Sequence, residues 1–339
     1  MKTNDFNYDL PIERIAQTPI EPRHNSRLLI LDRDKNIIEH RKFFEIGEFL
    51  KDTDLLIINR TKVIPARIFA QKITGGKIEI LLLRQVEKYI WECLVGGKRV
   101  NVGTKLRVAN NIQVEVLANL EGSKRLIQFD QEIETVWDEV GQMPLPPYIH
   151  EPLKNPNRYQ TVFAQNIGSA AAPTAGLHFS NELIKDLRKK GVRFCEITLH
   201  VGLDTFAPVT EKDPLEHKIH TEWCEISYES ANLINETSKI GGRIIAIGTT
   251  SVRTLETGAL HAKPGDRVGA FSGSTGIFIL PGYQFKAVDA MVTNFHLPKS
   301  TLLMLVSAFA GQKKILDAYQ CAINEKYRFY SFGDAMLIL

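Results

Sequence analysis

The run Asp54-Leu55-Leu56-Ile57-Ile58-Asn59 most narrows what this chain can fold into. Between its two ends it carries no polar residue, so neither face of a strand built from it can meet water. Such a strand belongs inside a parallel or mixed sheet covered by helices on both sides. The run Ile244-Ile245-Ala246-Ile247 has the same texture. It passes without a spacer into Gly248-Thr249-Thr250-Ser251-Val252-Arg253-Thr254-Leu255-Glu256, which reads as strand, tight turn and helix. Around these runs the pattern alternates. Arg27-Leu28-Leu29-Ile30-Leu31 predicts a strand after a short N-terminal helix. Ser180 predicts a cap for a helix through Lys190. A strand is predicted over Phe194–His200, a helix over residues 228–240, and further helices after Thr250 and from Ser300.

Between residues 67 and 130 the texture changes. Lys77–Leu83, Tyr89–Leu94 and Ile112–Leu117 are short β-rich segments separated by Gly75-Gly76, Gly96-Gly97 and Asn110-Asn111. Strands at this spacing predict a small antiparallel barrel. Gly141-Gln142-Met143-Pro144-Leu145-Pro146-Pro147-Tyr148 then forms a stiff extended connector. The expected fold is an α/β (α+β) main domain, residues 1–66 and 142–339, with the barrel inserted at 67–141. A length of 339 residues suits two domains.

Net charge is +3, which neither requires nor excludes a nucleic-acid partner. Basic residues do gather near the start, at Arg14, Arg23, Arg27, Arg33, Arg41 and Lys42, and again at Arg60, Lys62 and Arg67. They can track phosphates or simply solvate a surface. The four cysteines, Cys93, Cys195, Cys224 and Cys321, are scattered and form no Cys-x-x-Cys pair; scattered free thiols suit a reducing compartment. The N-terminus lacks a signal-like apolar stretch, and Leu302–Ala310 is far short of the ~20 residues that span a bilayer. A soluble, cytoplasmic protein without membrane association is expected.

Five stretches carry candidate chemistry. At the Gly248–Ser251 turn a helix N-terminus, hydroxyls and Arg253 can together hold a carboxylate or phosphate; N-capping with Arg253 in a surface ion pair is the alternative. In Ala172-Pro173-Thr174-Ala175-Gly176-Leu177-His178-Phe179 the imidazole of His178 suits proton transfer, or a purely structural bond to backbone. His200 ends a strand before Val201-Gly202-Leu203-Asp204-Thr205-Phe206, where α/β sheets gather ligands; it could equally cap its loop. Asn294, His296, Lys299 and Ser300 cluster before an apolar helix. His217 and His220, with Glu222 and Glu225, could conceivably bind a metal, but Pro214 lies just upstream and no metal is expected. Gly-x-Gly-x-x-Gly, Gly-x4-Gly-Lys and Gly-x-Ser-x-Gly motifs are all absent.

Long motifs, in order, resemble the S-adenosylmethionine:tRNA ribosyltransferase-isomerase family of queuosine biosynthesis. They include Tyr8–Pro11, Ser26–Leu28, Val63–Arg67, Gly141–Tyr148, Arg158–Val162, Ala172–Phe179, His200–Phe206, Gly248–Glu256, Thr293–Lys299 and Tyr327–Phe329. The resemblance implies an α/β domain with an inserted β-barrel. It implies transfer and isomerisation of the ribosyl part of S-adenosylmethionine onto 7-aminomethyl-7-deazaguanine at the wobble position of a tRNA with a GUN anticodon. The products are epoxyqueuosine-tRNA, adenine and methionine. S-adenosylmethionine is a co-substrate, and no cofactor or metal is implied. On this reading His178 and His200 transfer protons, while Thr174, Gly176, Thr249, Thr250, Ser251, Arg253, Glu256, Asn294 and His296 contact substrates. Asp204 is a weak candidate for a ribose contact. One departure stands out: the family often reads Asn-Asp-Thr-Arg where this chain has Asn59-Arg60-Thr61-Lys62, so Arg60 receives no catalytic role. A non-catalytic tRNA-binding relative, and a transferase or hydrolase of small phosphorylated metabolites, are the rival readings.

Overall fold

The computed structural model describes residues 1–339 except Leu203, Asp204 and Phe206, together with the backbone but not the side chain of Asn110. The weak ribose expectation at Asp204 therefore lies outside the described residues. The chain divides into two compact units. One comprises Met1–Thr61, Pro146–Asn166 and Ala172–Leu339; the other comprises Lys62–Leu145 and Ile167–Ala171.

The larger unit is built on a nine-stranded mixed sheet. Its strands are β1 (Arg27–Asp32), β2 (Ile37–Lys42), β3 (Leu55–Asn59), β4 (Arg193–Leu199), β5 (Glu222–Ile226), β6 (Ile244–Ile247), β7 (Phe271–Thr275), β8 (Ala290–Asn294) and β9 (Ala335–Ile338). Their spatial order is β7-β5-β4-β3-β6-β8-β9-β1-β2. The central four, β4-β3-β6-β8, run parallel. Five helices pack against them: α1 (Asn181–Lys189), α2 (Tyr228–Lys239), α3 (Thr249–Ala259), α4 (Thr301–Ala310) and α5 (Gln312–Asn324).

The doubly apolar strands behave as their composition requires. Leu55, Ile57, Ile244 and Ala246 join one hydrophobic core with Val252 and Leu255 of α3, Leu303–Val306 of α4 and Ile315 of α5. Their alternating neighbours Leu56, Ile58, Ile245 and Ile247 join a second core with Leu183, Ile184 and Leu187 of α1. Period-two alternation thus feeds two cores, one on each face of the sheet. Ser180 caps α1 by accepting from the Leu183 amide at 3.1 Å, and Ser300 caps α4 by accepting from Leu303. The N-terminal helix expected after Pro11 is a pair of single 3-10 turns, Ile12–Arg14 and Arg23–Asn25. Pro19 and Pro22 in the intervening stretch leave no room for continuous i→i+4 bonding.

In the smaller unit six antiparallel strands close on themselves. Arg67–Lys72, Lys77–Glu87, Ile90–Gly96, Lys124–Phe129, Gln113–Asn119 and Lys105–Val108 follow one another round the barrel. The last pairs back onto the first, Ala70 opposite Val108. Alternate residues, among them Ile78, Ile80 and Leu82, fill its interior. Closure leaves no unpaired edge within the ring.

Candidate active site

Parallel strands bring their carboxyl ends to one edge of the sheet, and in open α/β sheets that edge is where ligands bind. Here β3 ends at Asn59, β4 at Leu199, β6 at Ile247 and β8 at Asn294. The residues that follow them are Thr61, His200, Gly248–Thr250 and Phe295–His296. A pocket with an empty volume of ≈ 510 Å³, open to solvent, is lined by Ala172–Ala175, Val201, Thr205, Gly248–Thr250 and Thr293–Leu297, with Tyr148, Leu302, Tyr330 and Ser331. The hydroxyl-bearing helix start and the Asn294 loop meet at this cavity with Thr174 and Ala175, which precede His178, and Val201 and Thr205, which follow His200; the imidazoles of His178 and His200 are not in its lining.

Of the substrate-contacting residues expected from sequence, Thr174, Thr249, Thr250, Asn294 and His296 line this pocket. Gly248 has φ of 90°, a conformation that glycine adopts without strain, and this lets β6 turn directly into α3. Among the described residues no side chain caps α3, so its first amides have no side-chain acceptor at the N-cap. Thr250 Oγ1 is buried and has no hydrogen-bond partner among the described residues. Burying an unpartnered hydroxyl costs stability.

Three other expected residues face inward. Ser251 Oγ donates to the Ile247 carbonyl at 2.8 Å. Glu256 is fully buried and accepts from Tyr283 Oη at 2.9 Å and from the amides of Lys286 and Ala287. Arg253 lies in a buried ion pair with Glu222, not a surface one. Glu222 also accepts from the Gly202 amide at 2.9 Å and from Thr205 Oγ1 at 3.1 Å. Burial opposes its ionisation, but the facing Arg253 prevails and holds the carboxyl at about 2. Arg253 Nη2 has no partner. Gly176 sits where a Cβ would come within 3.0 Å of Thr161 Cγ2, so its place is one of close packing.

The two histidines expected to move protons have different surroundings. His178 is buried, stacked on Phe43 with ring centroids 5.1 Å apart, and does not line the pocket. Its Nε2 lies 3.1 Å from Asn294 Nδ2. Asn294 Nδ2 also donates to the Tyr330 carbonyl, while Oδ1 accepts from Thr174 Oγ1 at 2.9 Å. These partners fix the amide orientation, so His178 Nε2 must accept. Its Nδ1–H then donates to Ser26 Oγ at 2.8 Å. Burial, with the charges of Arg328 and Arg23, pushes this imidazole down to about 3. It is neutral, with both nitrogens occupied.

His200 is only partly buried and stacks on Trp223 at 5.1 Å. Its Nδ1 meets Thr61 Oγ1 at 2.8 Å. Nε2 has no protein partner among the described residues, and burial lowers its basicity. His296, which does line the pocket, binds Thr293 Oγ1 through Nε2 at 2.7 Å and is driven down to about 3 by burial. His217 and His220 pair separately, with Glu211 at 3.0 Å and Glu222 at 3.4 Å. Among the described residues no group of three or more His, Cys, Asp or Glu side chains could hold a metal ion. Arg60 pairs with Glu196 at 3.2 Å.

Sequence patterning missed the partners that complete the site. Ser26 and Phe43 hold His178, Thr61 holds His200, and Glu222 holds Arg253. None carries a local signal of its role; each becomes visible only when the sheet brings distant segments together.

The model of the queuosine biosynthesis protein family matches residues 3–338. The chain belongs to that family. It is 52% identical, over the whole of both chains, to proteins named S-adenosylmethionine:tRNA ribosyltransferase-isomerase from Caldanaerobacter subterraneus subsp. tengcongensis and from Symbiobacterium thermophilum. The crystal structure of S-adenosylmethionine tRNA ribosyltransferase from Thermotoga maritima, at 2.00 Å resolution, is 42% identical with a TM-score of 0.58. The match covers 99% of this chain and all of that one. No helix among the described residues is long and apolar enough to cross a membrane.

Proposed function

We propose that this chain is an S-adenosylmethionine:tRNA ribosyltransferase-isomerase acting in the cytoplasm. Its tRNA would carry 7-aminomethyl-7-deazaguanine at the wobble position of a GUN anticodon, and its product would be epoxyqueuosine-tRNA. The observation that carries this reading is the pocket at the carboxyl ends of β4, β6 and β8, in a chain aligned end to end with proteins of that name.

The chemistry makes three demands. A sulfonium acidifies the C5′ protons of S-adenosylmethionine, so a base must accept one. The glycosidic bond breaks with its electron pair going to adenine, which needs a proton. An oxygen of the rearranged sugar then displaces sulfur to close the epoxide, so the C–O bond forms as the C–S bond breaks with its pair returning to sulfur, which neutralises the sulfonium and frees methionine. The new C–N bond uses the lone pair of the neutral aminomethyl group, which then sheds a proton.

We assign proton transfer to His200, which immediately precedes the pocket-lining Val201; its Nε2 has no partner among the described residues, and its lowered basicity keeps it neutral near pH 7. His178 is assigned a positioning role through Asn294, because both of its nitrogens are already bonded. The α3 N-terminus, with Thr249 and Thr250, would hold the methionine carboxylate. Arg253, one turn into α3, would add a cationic field moderated by Glu222. Tyr330 and His296 would flank the splayed base, with Asn294 and Thr174 contacting its edge. S-adenosylmethionine is consumed as a co-substrate; no step requires a metal.

The test is release of adenine and methionine. With purified protein and S-adenosylmethionine, both should appear only when tRNA carrying the aminomethyl base is supplied. Release with any tRNA, or none even with the modified one, would refute the assignment.

A further inference from the structure

A second cleft adjoins the first. Its empty volume is ≈ 270 Å³, and its lining includes Arg23, Arg158 and Arg328, with His178, Ser331 and Phe332. Ser331 lines both cavities. His178 lines this one, while Asn294, hydrogen-bonded to it, lines the other, so that bond forms part of the wall between them.

We propose that this three-arginine cleft is a subsite for a phosphodiester group of the tRNA, placed to hold the backbone while the wobble nucleoside enters the neighbouring pocket. The proposal rests on the function assigned above.

The charge balance carries it. No carboxylate is among the described lining residues. Arg23 uses its guanidinium on two backbone carbonyls, Gln160 at 2.7 Å and Asn157 at 3.2 Å. Arg328 likewise binds the carbonyls of Thr18 at 3.1 Å and Phe332 at 2.8 Å. Arg158 donates to the Ile20 carbonyl at 2.9 Å and pairs with Glu21, a side chain 66% exposed. Asp334, the other nearby acid, is committed to the backbone amides of Arg27 and Arg328 at 2.8 Å each, and Arg328 Nε reaches it only at 3.9 Å.

Carbonyls orient guanidinium groups but do not neutralise them. The cations also act on one another and on the wall: burial and then Arg158 lower Arg23, against Glu21, and burial followed by Arg328 and Arg23 lowers His178. An arrangement that keeps three guanidinium groups together, with only the exposed Glu21 and the otherwise committed Asp334 near them, is one that a bound anion relieves. Guanidinium forks suit phosphate oxygens in particular. A carboxylate of the methionine portion is less suited, because the α3 N-terminus already offers it a place inside the first pocket. A nucleotide turned out of its stack must have its flanking phosphates held, and phosphate contacts are what fix register.

The experiment uses the full chain, with binding of modified tRNA and of S-adenosylmethionine measured separately across a salt series. Arg23→Gln and Arg328→Gln should each weaken tRNA binding by roughly 10-fold and lower the slope of log affinity against log salt by about 1. Affinity for S-adenosylmethionine should stay within about two-fold, and Arg→Lys variants should regain part of the tRNA affinity. Unchanged tRNA affinity and slope would overturn the subsite. A selective loss of S-adenosylmethionine binding would overturn it too, and would make the cleft a carboxylate site. If a variant unfolds, the wild-type protein decides. Modified tRNA should shield the three arginines from phenylglyoxal while S-adenosylmethionine does not, and equal reactivity with and without tRNA would refute the proposal. Wild-type protein that shields these arginines yet never releases adenine would sink the assigned function and leave the phosphate contact standing.

Discussion

At the residue scale, the imidazole of His178 shows how a neighbour's hydrogen bonds decide chemistry. The Asn294 amide is locked by Thr174 Oγ1 and the Tyr330 carbonyl, and this makes His178 Nε2 an acceptor. The role proposed for a group in that state is to orient Asn294, not to exchange protons with substrate. His178→Asn should therefore lower kcat/KM by roughly 10–100-fold, a typical loss when a supporting partner is removed, while the pH–rate profile keeps its shape. Loss of one limb of that profile would return proton transfer to His178. Thr250→Ala tests the opposite situation. Its hydroxyl has no partner to lose among the described residues, so Tm should hold or rise slightly. The KM for S-adenosylmethionine should rise about 5–10-fold, the equivalent of one hydrogen bond. Unchanged KM, read from initial rates of adenine release, would remove Thr250 from the ligand's contacts. Residue type made His178 stand out in the sequence; it could not tell that both ring nitrogens bond inward, because that depends on Ser26 and on the Asn294 amide fixed by Tyr330, and Ser26 and Tyr330 are each about 150 positions from His178 in the chain.

At the element scale, the β6–α3 junction was the most legible part of the chain. Four apolar residues, one glycine and a hydroxyl run dictate strand, turn and helix, and the structure has Ile244–Ile247 followed by Thr249–Ala259. What the run could not disclose is the face each side chain takes. Thr249 and Thr250 at the helix start line the pocket. Ser251, Arg253 and Glu256, further round and further along, face protein. Helical periodicity produces that split, but its phase depends on how α3 packs on β5, and Glu222 supplies the decisive partner. Arg253→Met should leave Glu222 buried without its counter-charge and cost about 3–5 kcal/mol in urea denaturation. A variant as stable as wild type that has lost S-adenosylmethionine affinity would instead make Arg253 a direct clamp.

For the whole molecule, the larger unit carries its polar site on a sheet buried on both faces, and that burial makes stability depend on pH. His178 and His296 are held near 3 in the folded chain, against 6.5 when exposed. A lowered imidazole contributes stability that is complete above about pH 6.5 and is lost as pH falls toward 3, because the unfolded chain binds the proton first. Glu222, held near 2 against 4.5, adds its loss only below about pH 4.5. Between pH 6.5 and 4.5 the decline therefore belongs mainly to imidazoles. Each contributes up to ~1.4 kcal/mol per pH unit, so the pair should produce a slope of about 2–3 kcal/mol per pH unit in urea unfolding free energies. His178→Asn should remove about half of that slope, whatever it does to the absolute stability. A slope unchanged in this variant would mean that His178 accepts a proton within the folded protein, and the neutral Asn294-orienting ring would have to be abandoned.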